Sequence, residues 1–390
     1  MASSADVKVA LVAGEVSGDM LAGRLLAGLR PMLPDATFYG IGGPRMMEQG
    51  FVSEIPMDKL TVRGLFEVIP RYRELKRIQR DLRDKLLADR PNVFIGADYP
   101  GFNLGLEEQL KAGGVPTMHF ISPQIWAWRG GRIRKIQRAV SHMLVVFPFE
   151  VELYEKAGVP VTYVGHPLAE LIPMQPDTSA ARHSLGIKEG EKVVAILPGS
   201  RSGELKYLVE PFLRAARLLK AREPSLRLLV PMASPRLRAQ FEQIVAAKGL
   251  SDVELTLLDG QSHTAIAAAD TVLAASGTAT LEVALFKKPM VIAYKVMAAS
   301  YQIMRHMGYL PWIGLPNILA REFLVPELIQ HATTPEALAE AVWTQLTDEA
   351  NRARLVERFT AMHHSLLRDS AQESAQAVLR LIDSTRTRSA

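Results

Sequence analysis

Two short stretches carry residue types that gather anions. The first is Pro198-Gly199-Ser200-Arg201-Ser202-Gly203-Glu204, which follows five apolar residues, Val193-Val194-Ala195-Ile196-Leu197. The apolar run reads as a strand buried on both faces. Beyond the loop, Leu205, Leu208, Val209, Phe212, Ala216 and Leu219 mark one face of a helix. Strand, small-residue loop and helix N-terminus together collect phosphate, because the first-turn N–H groups point outward and the macrodipole favours negative charge. Ser200 belongs to this loop, and Arg201 adds a planar guanidinium able to grip two phosphate oxygens. A tight turn with one exposed arginine accounts for the same residues. The stretch is not a P-loop, since no Gly-Lys-Ser/Thr follows, nor a dinucleotide G-x-G-x-x-G. The second stretch, Ser276-Gly277-Thr278, repeats the logic after the strand-like Thr271-Val272-Leu273. Its small residues can approach a pyrophosphate closely. Glu282, one turn into the next helix, can accept hydrogen bonds from ribose hydroxyls or simply offset the helix N-terminus.

The acidic candidates lie earlier in the chain. Asp98 stands at the carboxyl end of a strand at Val93–Gly96, where open α/β sheets place their chemistry. In Gly14-Glu15-Val16-Ser17-Gly18-Asp19, two acids occupy a loop that would be basic if it held phosphate, so a hydroxylated group suits it better. Ser17 or Asp19 can equally cap a helix, and for Asp19 the cap is the preferred reading. In Ser122-Pro123-Gln124-Ile125-Trp126-Ala127-Trp128-Arg129, two tryptophans precede a run that holds five basic residues and no acid between Arg129 and Arg138. That combination suits a lipid headgroup, a phosphorylated sugar or a nucleic acid. No RNA-binding signature accompanies it, so nucleic acid ranks last.

The elements that must position these residues alternate along the chain. Strands are expected at Val7–Ala13, Thr37–Ile41, Val93–Gly96, Thr117–Ile121, Met143–Phe147 and Val161–Val164. A second alternation has strands near Val193–Leu197, Leu226–Val230, Val253–Leu258, Thr271–Leu273 and Met290–Tyr294. Helices are expected at Glu204–Arg222, Pro235–Lys248 and Thr278–Phe286, a loop at Pro316-Asn317, and closing helices at Pro335–Leu346, Asn351–Leu367 and Ala371–Leu381. Such alternation implies α/β architecture with parallel sheets and helices on both faces. The Pro-bearing connection from Gly165 to Thr178 is the best boundary. It divides the chain into residues 1–170, residues 171–365 and a C-terminal helix, 366–390, that can pack back on the first domain. Ligands are then expected at strand carboxyl ends, in a cleft between domains.

At 390 residues, two domains are the prior. No apolar run approaches 20 residues, so no spanning helix is expected. Met1–Asp6 lacks a charged n-region, so no secretory signal is expected. Absence of cysteine fits a reducing compartment. The nine histidines show no ligand spacing and no metal is expected. A net charge of +5 suits anionic substrates or a lipid surface. One segment departs from the alternation: Leu60, Val62, Leu65, Phe66, Val68 and Ile69 crowd ten residues. Behind it, Arg71–Arg90 reads as a helix with an apolar stripe and a basic face formed by Arg71, Arg73, Lys76, Arg77, Arg80 and Arg83. An apolar knob backed by basic charge suits an interfacial membrane anchor; an ordinary surface helix is the alternative.

Taken together, these stretches resemble the lipid-A-disaccharide synthases of Gram-negative bacteria. The resemblance rests on the segments at 14–19, 122–129 and 198–201 quoted above, with Gly42-Gly43-Pro44-Arg45-Met46, Ser276-Gly277-Thr278-Ala279-Thr280-Leu281-Glu282 and Leu315-Pro316-Asn317, and runs in family order over essentially the whole chain. Gly101 departs from the family pattern, which carries a second acidic residue there; this bears on a second carboxylate and not on Asp98. The resemblance implies a GT-B fold, two Rossmann-like domains facing across a cleft, with donor mainly on the second and acceptor mainly on the first. It implies inverting transfer of 2,3-diacylglucosamine from UDP-2,3-diacylglucosamine to the 6-hydroxyl of 2,3-diacylglucosamine 1-phosphate. No metal or other cofactor would take part, and the enzyme would work at the cytoplasmic face of the inner membrane. Within that scheme Asp98 is the first choice for the base and Glu15 the second. Arg201 and helix N-termini would stabilise departing UDP. Glu282 would take the ribose, Gly260-Gln261 would lie near the uracil, and Tyr294 and Asn317 would line the donor pocket. Ser17, Trp126, Trp128 and Arg129 would meet the acceptor, and Val62, Leu65, Phe66, Val68 and Ile69 the membrane. Oligomeric state stays open, a homodimer being one option. The rival readings are a related GT-B enzyme on UDP-N-acetylglucosamine (an epimerase or a muropeptide glycosyltransferase) and a non-catalytic nucleotide- or lipid-binding protein.

Overall fold

The computed structural model describes residues 7–60, 68–126, 130–297, 301–302 and 310–389. They form two compact units: residues 1–170 with 366–390, and residues 171–365.

The first unit is built on seven parallel strands in the order β3-β2-β1-β4-β5-β6-β7. In chain order its elements are β1 (Lys8–Ala13), α1 (Val16–Leu29), β2 (Thr37–Gly42), α2 (Pro44–Met47), β3 (Val52–Pro56), α3 (Val68–Asp89), β4 (Val93–Ala97), α4 (Pro100–Ala112), β5 (Thr117–Phe120), α5 (Ile133–Ala139), β6 (His142–Val145), α6 (Phe149–Lys156) and β7 (Val161–Tyr163). β4 is buried at all five positions, as a parallel strand covered on both faces must be. The chain leaves this unit through α7 (Pro167–Leu171).

The second unit has six parallel strands in the order β10-β9-β8-β11-β12-β13. Its elements are α8 (Thr178–Ser184), β8 (Val193–Leu197), α9 (Ser202–Arg222), β9 (Arg227–Met232), α10 (Pro235–Ala247), β10 (Thr256–Asp259), α11 (Ser262–Ala268), β11 (Thr271–Ala275), α12 (Thr278–Leu285), β12 (Met290–Tyr294), α13 (Leu315–Ala320), β13 (Glu327–Ile329), α14 (Pro335–Thr347) and α15 (Glu349–Leu366). The last helix, α16 (Ser370–Ser389), belongs to the first unit and packs on α1. It is tied there by the Ser370 N–H, which donates to Glu170 at 3.0 Å, while Glu170 also pairs with Arg24 of α1.

Each unit is Rossmann-like: the strand order reverses between β1 and β4 in the first and between β8 and β11 in the second. Both faces of each sheet are sealed by apolar stripes. In α9, Leu205, Leu208, Val209, Phe212, Ala216 and Leu219 are all buried, the face expected from their spacing.

Several expectations need correction. Two edge strands, β3 and β13, carry no continuous apolar run, because an edge strand pairs on one side only and is half exposed; β3 alternates exposed and half-buried positions. Pro316-Asn317 lies inside α13 rather than in a loop, with Pro316 in the first helical turn, where its missing N–H costs nothing. The strand expected from Val253 begins at Thr256, Val253 serving instead in the core. The C-terminal helix runs on to Ser389. Leu60 is fully buried in the core cluster with Ile78, Leu82 and Leu86 of α3, so it is no part of an exposed knob. Of the membrane candidates, Val62, Leu65 and Phe66 lie outside the described residues; Val68 and Ile69 open α3, and their side chains lie outside the described part. The basic face of α3 is present, with Arg73, Lys76, Arg77 and Arg80 exposed. Among the described residues no helix is long and apolar enough to cross a membrane.

Candidate active site

Asp98, Glu15 and Ser17 lie at one of the two points where strand order reverses, and Ser200, Arg201 and Ser276-Gly277-Thr278 at the other. In the first unit these are the carboxyl ends of β1 and β4, adjacent and in register through Ala13 and Ala97. Asp98 and Tyr99 both adopt left-handed backbone conformations, φ +55° and +46°. Such a turn costs of order 1–3 kcal/mol per non-glycine residue and persists only where neighbours over-determine it. Here Asn103, fully buried, donates from Nδ2 to the Asp98 carbonyl at 2.8 Å and to the Val12 carbonyl at 3.2 Å, tying β1 to the turn. The Tyr99 hydroxyl donates to the Leu60 carbonyl at 3.1 Å, and its ring stacks near Phe102. A Cβ on Gly14 would lie 2.4 Å from that ring, so the loop after β1 can close over Tyr99 only with glycine there. Ser17 then reaches Asp98: its hydroxyl donates to Oδ2 at 3.1 Å. Glu15 is the exposed N-cap residue of α1, and it acts with burial to push the Tyr99 phenol up, burial being the larger cause. Asp98, Ser17 and Glu15 therefore share one strand edge, with the Asp98 carboxylate half-buried.

Asp19 plays the capping part expected of it, but for the following helix. Buried to 2% exposure, it accepts the N–H groups of Gly43, Arg45 and Met46 at 2.9–3.1 Å and so caps α2.

Beyond β5, Trp126 is half-buried, its ring edge-on to Phe147 and Phe149, and its indole N–H donates to Glu150 at 3.1 Å. Trp128 and Arg129 lie outside the described residues. Of the basic run, Arg138 is engaged with Glu108 at 2.6 Å.

In the second unit the reversal lies between the carboxyl ends of β8 and β11, with β12 alongside. Gly199 has φ +121°, and a Cβ there would strike Glu204. The Glu204 carboxylate accepts the N–H groups of Ser200 at 2.8 Å and Arg201 at 3.1 Å. Two N–H groups just before the helix thus close on the protein's own carboxylate in a capping box, while the first-turn N–H groups invoked for phosphate begin at Ser202. The Arg201 guanidinium is 84% exposed, touches Glu204 only at 3.4 Å, and is available for an anion. Tyr294, at the end of β12, feels both groups: burial and Glu204 push its phenol up and Arg201 opposes them. Ser276 donates its N–H to the Ala293 carbonyl and its hydroxyl to the Ile313 carbonyl, while Gly277 and Thr278 are exposed at the start of α12. Glu282 sits with His263 Nε2 3.3 Å from its carboxylate. Gly260 and Gln261, both exposed and both with positive φ, form the turn before α11, the helix that carries His263.

Among the described donor-side candidates, Asn317 has its side chain fully engaged inside the chain. It is fully buried; Nδ2 donates to the Val325 carbonyl and Glu327, and Oδ1 accepts from Leu324 and Val325 N–H. Both donors and both lone pairs are spent inside the chain, so its side chain braces the segment before β13 rather than lining a pocket. Glu327, accepting as well from Ile313 and Gly314 N–H, completes that brace.

Asn103, Glu150, Glu204 and Glu327 are the site-forming residues that the sequence reading gives no role. Only Glu204 has a local signal, as an acid at the third position of a helix.

A family model for lipid-A-disaccharide synthetase matches residues 9–380. The chain belongs to that family. Among curated relatives, the lipid-A-disaccharide synthase of Burkholderia pseudomallei is 53% identical over 383 residues, 98% of each chain. Among solved structures, a putative UDP-N-acetylglucosamine 2-epimerase from Listeria monocytogenes superposes with a TM-score of 0.63 at 12% identity, covering 98% of this chain and 97% of that one. MurG of Acinetobacter baumannii gives 0.54 at 16%, covering 98% and 99%. At such identities the likeness is one of fold, the GT-B arrangement of two Rossmann-like domains. The rival reading as an epimerase or muropeptide glycosyltransferase is not favoured, because those structures share the fold while the synthases share half the residues.

Proposed function

We propose that the two strand-order reversals divide one glycosyl transfer between them, the first unit serving the acceptor and the second the donor. The chain is a glycosyltransferase of its family, and its reaction is formation of the lipid A disaccharide. In our reading, UDP-2,3-diacylglucosamine is the donor and 2,3-diacylglucosamine 1-phosphate the acceptor. Asp98 takes the proton of the acceptor 6-hydroxyl as its oxygen attacks the anomeric carbon. The bond from that carbon to UDP breaks, its electron pair leaves with the diphosphate, and the anomeric centre inverts. Arg201 and the N-terminus of α9 meet the charge growing on UDP, Glu282 meets the ribose, and Gly260-Gln261 the base. Glu15 and Ser17 orient the acceptor beside Asp98. The reading assigns no step to a metal.

The observation that carries this reading is Asp98 itself, held in a strained turn at the carboxyl end of β4 with Ser17 on one oxygen. The direct test is incubation with both diacylated substrates, compared with unacylated UDP-glucosamine; a disaccharide 1-phosphate from the diacylated pair alone is the expected product. Product from unacylated donor at equal rate removes the lipid specificity.

The exposed basic face of α3 supports attachment to an anionic membrane surface, with Val62, Leu65, Phe66, Val68 and Ile69 as the inserted residues, on the cytoplasmic face of the inner membrane. Replacing those five with serine is expected to shift the protein from the membrane to the soluble fraction, since burial of each is worth about 1.5–3 kcal/mol. Loss of the circular dichroism signal instead would place them in the core.

A further inference from the structure

Between the sheet edge and Trp126 lies a carboxyl group that the reaction does not use. Glu150, in the first turn of α6, is 1% exposed. Oε1 accepts the Trp126 indole N–H at 3.1 Å and Oε2 accepts the Phe147 N–H at 3.1 Å. Ser122 and the Val146 backbone also bond it. Ser122 Oγ lies 2.7 Å from the buried Tyr154 hydroxyl. Trp126 is further wedged edge-on against Phe147 and Phe149, centroids 6.5 and 5.2 Å away. One buried carboxyl thus gathers three pieces: the loop after β5, the end of β6 and the start of α6.

We propose that Glu150 is a positioning residue for the acceptor: it clasps Trp126 and so sets the loop 122–126 on the carboxyl edge of the first sheet. The inference rests on the reading in which the first unit serves the acceptor and Trp126 meets it. Its chemistry follows from the donors that surround it. The indole N–H and the backbone N–H can only donate, so a carboxylate satisfies both at once. A proton on either oxygen replaces one accepting lone pair with a donor, and the contact on that oxygen weakens.

That proton is within reach at ordinary pH. Burial pushes the Glu150 carboxyl up to about 7, against the opposing hydrogen bonds from Ser122, Phe147, Trp126 and Val146. Among the described residues no lysine or arginine offsets the burial. The other titratable neighbours stay silent near neutrality. Burial raises the phenols of Tyr154 on α6 and Tyr163 on β7, the latter beneath the permanently charged Arg368. His166, whose ring lies 5.2 Å from Phe147, is pushed down to about 4 by burial and is neutral. Glu150 is therefore the group here that changes charge between about pH 6 and 8, and the loop is held more firmly at the alkaline end.

The test uses the full-length protein with both diacylated substrates, the variants Glu150→Gln and Trp126→Phe, and Trp126 emission taken as the difference between wild-type and Trp126→Phe spectra. In the wild type, acceptor KM is expected to rise as pH falls from 8 to 6, in step with a change in Trp126 emission. Glu150→Gln has one acceptor atom for two donors; it should raise acceptor KM about tenfold at pH 8 and abolish both pH dependences, with donor KM within about twofold. Wild-type acceptor KM and pH profile in Glu150→Gln would overturn the proposal. A raised KM with unaltered Trp126 emission also overturns it, while leaving the acceptor role of the loop standing. Altered emission with unaltered KM overturns the acceptor role and the proposal together. Should Glu150→Gln fail to fold, Trp126→Phe, which keeps an aromatic ring and deletes the N–H, must itself raise acceptor KM at pH 8 and flatten its slope; an unchanged KM and slope sink the idea.

Discussion

The two reversals of strand order present the same topology with opposite chemistry. In the first unit the edge holds Asp98, Glu15 and the Ser17 hydroxyl; in the second it holds the exposed Arg201 and the starts of α9 and α12. Yet both use an internal carboxylate for the same local purpose. Asp19 absorbs three backbone N–H groups at the start of α2, and Glu204 absorbs two in the loop before α9. The start of α2, which would otherwise draw anions, is thereby closed, whereas the N–H groups that Glu204 takes lie just before the first turn of α9. In the first unit that leaves no competing anion site at α2 near Asp98, the base in our proposal. In the second, the closure stiffens the loop and leaves the guanidinium of Arg201 outside it. Parallel α/β folding fixes where chemistry can occur; a few loop side chains fix its sign.

The contrast can be broken most sharply at Asp98. Asp98→Asn keeps the turn and the shape but cannot take a proton, and is expected to lower kcat by about 10²–10⁴-fold with acceptor and donor KM little changed. A kcat within about tenfold of wild type, below the usual general-base contribution, would move the base to Glu15 and make Glu15→Gln the inactive variant. Arg201→Ala tests the other side. A charge-assisted contact is worth about 1.5–3 kcal/mol, so UDP affinity should fall roughly 10- to 150-fold by calorimetry, with acceptor KM unmoved. Glu282→Ala should weaken UDP but hardly affect free phosphate. Unchanged UDP affinity in both variants would mean that the second unit is not the donor side.

The sequence shows this division unevenly, for physical reasons. Strands buried on both faces, such as β4, β8 and β11, announce themselves as apolar runs, and the stripe of α9 follows from its period. The loops at 14–19, 98, 198–201 and 276–278 were legible because small and charged residues follow those runs directly. What the sequence hides is tertiary. Nothing near Asn317 in the chain signals that all four of its hydrogen-bonding capacities are met by residues 7 to 10 positions onward. Nothing near Asn103 signals its grip on Val12, 91 residues away, and Glu150 finds Trp126 across 24. Partners of this kind come from the packing of separate elements and carry no period.

The smallest expected effect refines the comparison most finely. Ser17 donates one hydrogen bond to Asp98, at 3.1 Å, from an exposed position. Removing it in Ser17→Ala takes away an orienting contact worth about 0.5–1.5 kcal/mol. The kcat should fall less than about tenfold, far short of the loss at Asp98→Asn. A rise in acceptor KM with kcat unmoved would mean that Ser17 touches the acceptor rather than the base. A Ser17→Ala variant as inactive as Asp98→Asn would place the serine hydroxyl in the path of the proton, and the first unit would then work through a hydroxyl–carboxylate pair and not through one carboxylate set against Arg201 of the second.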